Sequence, residues 1–382
     1  MPTPLIPELI PSDRKLAGLH GLRAIAALTV VLFHLKNVAT IPLPPGLSYF
    51  IDHFYLSVQL FFVLSAFSLF HSHICSPVSL LGYFGKRFFR IAPLFYLLIA
   101  FQVWFRWRSV GFPGWRIIIA NLTFSFNLFP GYEASITWAG WSVGVEMLFY
   151  IMLPGMLFIG SKRQAQWPVF SALYLLSTIL AALVWNLAIV FSSRLPANYA
   201  YYSIFANLAP FSAGLLGYSI YLNIQSKRWL KPGRIYFAGS FFLLLTVAFI
   251  DPLGLHYRIP GFYFAFWSIP FGILCLWQSL YPSSILQTRP MQWLADRSFS
   301  IYLLHFIVIE ITKHMYLAKY FDGIWLYVAS LAATLPLLFV VANITYRWVE
   351  LPGISIGRKL FLAASETSNR PFVIAGGKEI PK

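Results

Sequence analysis

Charge is what this 382-residue chain has least of: Asp, Glu, Lys and Arg make up only 10% of it, against about a quarter of a soluble domain. With hydrophobic residues at 59%, too few polar side chains remain to cover a water-facing surface, which excludes an ordinary soluble globule. Acidic residues are scarcest, 12 against 28 Lys and Arg, giving a net charge of +16. That excess does not describe a nucleic-acid binder, because no basic run and no basic-aromatic patch is present. Only two cysteines occur, Cys75 and Cys275, far apart and outside any CxxC or Cys/His cluster. A disulfide framework is excluded, and no metal-ligand spacing is left, so no metal is expected. Repeats of fixed period are missing, as are low-complexity tracts outside the C-terminal tail.

What the chain does have is long apolar runs. Stretches of the roughly 17 to 25 residues that cross a bilayer fall near 20–37, 54–73, 91–107, 138–160, 168–191, 200–222, 234–250, 261–281, 298–318 and 323–346. The pattern predicts an all-α polytopic bundle of about ten spans. With a cytoplasmic N-terminus, Arg14, Lys15, Arg23, Lys86, Arg87, Arg90 and the basic pairs at 162–163, 227–228 and 358–359 all fall inside, with most of the other basic residues. An eleventh apolar stretch, Trp115–Phe129, is short and contains Asn121 and Asn127. Counting it as a span would move the later basic loops outside, so the segment near 115–130 reads as re-entrant or interfacial, its backbone covered by protein or water. The first run follows Arg14 and Lys15 without a small-residue cleavage site and reads as a retained span. Residues 1–362 read as one membrane domain with no soluble domain attached, and 363–382 as a polar tail expected to be disordered.

Four stretches carry the polar exceptions. In the first, Arg23 and His34 are eleven positions apart. On a helix that spacing returns to within about 20° of the starting face after climbing about 16 Å. A cation at one membrane face therefore shares a stripe with an imidazole near mid-bilayer, where an ionisable group reads as functional. The alternative is that Arg23 snorkels and His34 bonds a neighbouring helix. The second stretch, Lys86 to Arg90, lies at the inner end of the third span. Arg87 and Arg90 are three apart and would share a face, either as a positive-inside anchor or as a clamp for a phosphate or carboxylate.

In the third, Glu146 lies within the fourth span, with Ser142 and Tyr150 each four residues away on its own face. A carboxylate in the membrane calls for a partner, and His34, at middle to outer depth like Glu146, is the candidate. Together they read as an oriented acid/base pair or as a hydrogen bond locking two helices. In the fourth, Tyr302 and His305 are three apart and could line one pocket, although such a histidine is more often a packing residue. Glu310 lies deep in the same apolar helix, and the sequence does not identify what it pairs with. Arg347 and Glu350 read as an interfacial cap and helix stop before Pro352.

These stretches, LHGLRAIAALTVVLFHL (19–35), SVQLFFVLSAFSLF (57–70), YFGKRFFRIAPLFYLL (83–98), WSVGVEMLFYIMLP (141–154), SFSIYLLH (298–305) and TYRWVELP (345–352), fall in the order seen in the membrane-bound acyltransferase-3 family, which the chain resembles along nearly its whole length. Arg23 and His34 match that family's arginine, ten residues, histidine pattern. Arg87 and Arg90 match its paired arginines, and Trp141, Ser142, Glu146 and Tyr150 its tryptophan-serine-glutamate-tyrosine segment. Three positions depart from it: Ala66 stands for the glycine of Ser-Gly-Phe, Gln59 for an acidic residue, and Met147 for a second glutamate whose role cannot be carried over.

The resemblance implies transfer of an acyl group, commonly acetyl from acetyl-CoA, to a hydroxyl of a glycan, a lipid-linked sugar or another acceptor. It also implies an integral multi-pass protein of the bacterial inner membrane, here expected without a fused esterase-like domain and with both termini cytoplasmic. Combined with the residue reading, Arg23, Arg87 and Arg90 are expected to hold the donor phosphates of acyl-CoA. His34, oriented by Glu146, would take the acceptor proton or carry the acyl group. Trp141, Ser142 and Tyr150, with Tyr302 and His305, would shape the acceptor side. The rival from another class is a transporter or exporter using His34 and Glu146 as a proton relay. Inverted repeats would favour it, and none is visible.

Overall fold

Long apolar runs satisfy their backbone in lipid only as helices or closed barrels, and in the computed structural model of the chain they are helices. The structure describes residues 16–75, 79–159, 166–191, 197–227, 239, 260–313, 315 and 317–367, and no strand occurs among the described residues. The helices are α1 (Ala17–Val38), α2 (Pro45–Asp52), α3 (Ser57–Cys75), α4 (Leu80–Ser109), α5 (Trp115–Leu122), α6 (Gly140–Ile159) and α7 (Gln166–Val190). They continue with α8 (Ala197–Tyr202), α9 (Ile204–Lys227), α10 (Pro260–Leu280), α11 (Arg289–Asp296), α12 (Ser298–Lys313), α13 (Gly323–Thr345) and α14 (Leu351–Thr367).

Among the described residues, eight helical segments are long and apolar enough to cross a membrane. The ninth expected span, α12, has 16 residues and a length of about 24 Å. The expected span at 234–250 lies almost wholly outside the described residues, as does most of the C-terminal tail. α5 has eight residues, about 12 Å of helix, and is too short to cross.

Two differences from the sequence reading bear on the site. α4 begins at Leu80, not near residue 91, because the Ser79 hydroxyl accepts the Gly82 N–H at 3.1 Å and caps the helix about three turns further back. Arg87 and Arg90 therefore lie within a continuous helix. At the other end, α13 does not stop before Pro352. A wide π-type turn over Tyr346–Glu350 leads straight into α14, so the chain stays helical past Pro352, which follows directly after that turn. Arg347 is exposed as a cap should be, but Glu350 is only 2% exposed and accepts a hydrogen bond from Ser300. It is an interior carboxylate.

Small residues bring the elements around α1 and α6 close. A side chain on Gly21 would place its Cβ 2.4 Å from the Leu286 carbonyl oxygen, so only glycine lets the link before α11 lie against α1. On Gly144 it would meet Asn127 Oδ1 at 1.9 Å. Asn127 donates to the carbonyls of Glu133, Trp141 and Tyr202 at 3.2, 3.0 and 3.0 Å. Asn121 Oδ1 accepts from Ser135 Oγ and the Ile136 N–H at 2.6 and 3.1 Å. The two asparagines that break the 115–129 run thus bind the irregular chain to the helices, as non-helical backbone at a membrane protein's core requires. Outward, α7 presents Leu175, Leu176 and Ile179, all more than half exposed. This is the apolar surface a lipid-facing helix offers.

Candidate active site

The 3.6-residue period sets the first wall of the site: Ser142, Glu146 and Tyr150 form one stripe of α6. Opposite stand Arg23 from α1, Ser65 from α3, Arg87 and Arg90 one turn apart on α4, and Tyr302 from α12. Together they line a cavity of about 220 Å³. Tyr150 donates to Glu146 Oε1, and Ser65 Oγ donates to the same oxygen at 2.7 Å. Ser142 and Tyr302 share a hydroxyl hydrogen bond of 2.7 Å. The Arg87 guanidinium lies 5.9 Å from the centre of the Tyr150 ring.

Charge is unbalanced here. Among the described residues the ion pairs are His20–Asp296 at 2.9 Å and Lys36–Asp52, so Arg23, Arg87 and Arg90 have none. Arg87 Nε is buried without a hydrogen-bond partner. Three guanidinium groups around one carboxylate, with six hydroxyl-bearing residues in the lining, make a receptor for an anion.

A second cavity, of about 330 Å³, adjoins the first and shares Arg23, Ser68 and Arg90 with it. Its other polar lining comes from His20, His71, Asp296, Tyr346 and Glu350. Arg297, beside it, donates to Asn343 Oδ1 at 2.9 Å and stacks 4.1 Å from the Trp293 ring centre. Arg23 and Arg90 therefore stand where the two chambers meet.

His34 is not in either cavity. Eleven residues along α1 it is half-buried, with its ring centre 5.0 Å from that of His305 and 4.2 Å from that of Phe306. His305 is fully buried. Its Nδ1 donates to the Tyr302 carbonyl, and its Nε2 has no partner. Tyr302 bridges the regions: its hydroxyl end lines the first cavity, and its ring centre lies 5.8 Å from that of His305.

The structure thus brings together Arg23, Arg87, Arg90, Ser142, Glu146, Tyr150 and Tyr302, and separately His34 with His305. The expected contact between His34 and Glu146 is absent: no hydrogen bond joins them among the described residues. Glu146 is turned toward Ser65 and Tyr150. Trp141 does not line the cavity. It packs among Tyr202, Tyr201 and Phe62, with ring centres 5.0, 5.7 and 6.2 Å away. Glu310 is half-buried, five residues beyond His305 on α12. Sequence reasoning missed Ser65, Glu350 and the nearness of the two histidines. Ser65 had a signal, its place in the Ser65-Ala66-Phe67 triplet; the histidine pair had none, since helix spacing says nothing about which helix faces which.

These features define a class first: a multi-pass helical membrane protein with an interior anion-receptive chamber next to a pair of imidazoles. The acyltransferase-3 family model, an acyltransferase domain, matches residues 16–343, and the chain belongs to that family. The chain is similar to the peptidoglycan O-acetyltransferase OatA of Listeria monocytogenes, 24% identical over 370 residues that cover 89% of this chain and 56% of the relative. It is also similar to the O-acetyltransferase OatA of Staphylococcus aureus, 23% identical over 93% of this chain and 60% of that protein. A putative peptidoglycan O-acetyltransferase of Bacillus subtilis, YrhL, is 24% identical over 89% of this chain and 55% of its own length. The chain thus spans less than two thirds of the length of these relatives. No solved structure matches it.

Proposed function

We propose that this chain is an O-acyltransferase that takes an acyl group, in the simplest case acetyl, from acyl-CoA and passes it to a hydroxyl of a cell-surface glycan. The observation that carries the reading is the cluster of Arg23, Arg87 and Arg90, three guanidinium groups without an ion pair among the described residues, around one cavity. A donor with a phosphate-rich head supplies the missing negative charge, and guanidinium is the side chain best shaped for phosphate. Family membership supports acyl transfer as the chemistry. The names of the Listeria and Bacillus relatives support peptidoglycan as the acceptor to try first. The arginine end of α1 would face the cytoplasm, where acyl-CoA is found, in the bacterial inner membrane.

In this reading His34 accepts the proton of the acceptor hydroxyl as its oxygen attacks the acyl carbonyl carbon. The carbon–sulfur bond then breaks, and the thiolate leaves with that proton. Glu146 has a different role from the one its position in the sequence suggested. It holds the Tyr150 and Ser65 hydroxyls and offsets part of the arginine charge, on the donor side of the site.

The test is transfer by the purified protein in lipid nanodiscs, with labelled acetyl-CoA as donor. The expected result is donor binding that is lost when Arg87 and Arg90 are both replaced by Ala, and turnover that is lost in His34→Ala. A protein that binds no acyl-CoA would overturn the donor assignment, and a fully active His34→Ala variant would overturn the role of His34.

A further inference from the structure

We infer that His305 is the positioning partner of His34, a neutral imidazole that accepts a hydrogen bond from one His34 nitrogen and so leaves the other bare to receive the acceptor's proton. The inference rests on the reading of His34 as proton acceptor and names what orients it.

Three observations carry it. First, the tautomer of His305 is set by its own helix: Nδ1 faces the Tyr302 carbonyl, which can only accept, so Nδ1 carries the proton and Nε2 is a bare acceptor. Second, that acceptor is buried without a partner on a fully buried residue. A buried polar atom left unpaired calls for a reason beyond packing. Phe306 beside it shows that a phenyl ring fits this neighbourhood, with its centre 4.5 Å from that of His305. Third, the nearest titratable ring is His34, its centre 5.0 Å away and its plane tilted by 33°. A side-chain rotation at that separation makes an N–H···N hydrogen bond from His34 to His305.

The proton count closes. His34 begins neutral, with the proton on the nitrogen that faces His305. The acceptor O–H bond breaks and its proton moves to the bare His34 nitrogen, while the oxygen–carbon bond to the acyl group forms. When the carbon–sulfur bond breaks, the thiolate takes the proton and His34 is neutral again. His305 keeps its Nδ1 proton throughout. Its task is the one a carboxylate performs in a hydrolase triad, fixing tautomer and ring orientation. A neutral partner does this without leaving an unpaired buried charge when His34 is uncharged.

The test uses the full chain in nanodiscs and follows turnover of labelled acetyl-CoA. His305→Phe keeps an aromatic ring but removes the acceptor. Its kcat should fall about 100-fold, at the low end of what a positioned proton acceptor supplies, with KM for acetyl-CoA unchanged. His305→Gln, whose amide oxygen accepts, should recover to within about tenfold of wild type on the same scale. A His305→Phe enzyme with wild-type kcat overturns the pairing, as does a glutamine variant no better than phenylalanine. If His34→Ala is fully active, the reading of His34 has failed; if it is inactive while His305→Phe is not, only the partnership has failed. Nitrogen-15 spectra of histidine-labelled wild-type protein decide the matter without a variant. An unprotonated, hydrogen-bonded Nε2 on His305 is expected, and a protonated one overturns the proposal.

Discussion

The two ends of α1 hold opposite kinds of chemistry. Around Arg23 the interior is wet in character: three guanidinium groups, the Glu146 carboxylate and the hydroxyls of Ser65, Ser142, Tyr150 and Tyr302 line one chamber. Around His34 it is aromatic and uncharged, with Phe33, His305 and Phe306 as ring neighbours. In the proposed reading this difference separates donor binding from proton transfer. There the charged chamber would hold an anionic donor through charge-assisted hydrogen bonds, and the imidazole would receive the acceptor's proton. Tyr302 and His305, three residues apart on α12, form the wall between the two regions.

If the division is real, variants at either end should affect different constants. The largest effect is expected for His34→Ala: a fall in turnover of about 10²–10⁴-fold, with the donor dissociation constant unchanged, read by single-turnover transfer and by binding of labelled acetyl-CoA. Loss of donor binding in this variant would merge the two regions into one. Next come Arg87→Ala and Arg90→Ala. Each removes hydrogen bonds to a charged partner worth about 1.5–3 kcal/mol, so donor affinity should weaken about 10–100-fold while turnover at saturating donor holds. The salt dependence of binding should flatten as well, since each variant removes one screened attraction. Replacement by Lys should restore less than full affinity, because an ammonium cannot form the paired contacts of a guanidinium.

Helix-period reasoning made part of this legible. The Ser142, Glu146, Tyr150 stripe and the Arg87, Arg90 pair follow from spacing along one helix, and the basic residues of the loops anticipated that Arg23 would join the arginines. The basic loops that follow the short 115–129 segment marked it as non-spanning, and α5 is indeed eight residues long. What spacing could not provide is the facing of one helix toward another. That is set by contacts such as Gly21 against the Leu286 backbone, and it turns His34 to α12 and Glu146 to Ser65. Trp141 was expected at the acceptor and instead packs on Tyr201 and Tyr202, since neighbours on a single helix do not reveal which side is open. Glu350 was misjudged because Pro352 signals a helix stop, whereas the wide turn at Tyr346–Glu350 carries the chain past it and draws the carboxylate inward to Ser300.

The smallest expected effect discriminates best between the two ends. In Glu146→Gln the side-chain oxygen still accepts from Ser65 and Tyr150, so the local geometry is retained, but the negative charge is gone. Three cations then face the donor with no competing carboxylate. Affinity for acetyl-CoA should therefore rise by about two- to tenfold at low salt, a modest gain for one charge acting across a partly solvated cavity. The gain should shrink as salt screens it, and turnover at saturation should stay within a few-fold of wild type. The opposite arrangement, with Glu146 orienting His34, predicts something far larger: replacing the carboxylate that orients a catalytic imidazole by its amide lowers turnover about 10⁴-fold in the serine-protease triad. The two outcomes differ in direction as well as size. Tighter donor binding with near-normal turnover keeps Glu146 at the arginine end, whereas a collapse in kcat with unchanged affinity would place it beside His34 and dissolve the boundary that Tyr302 and His305 draw.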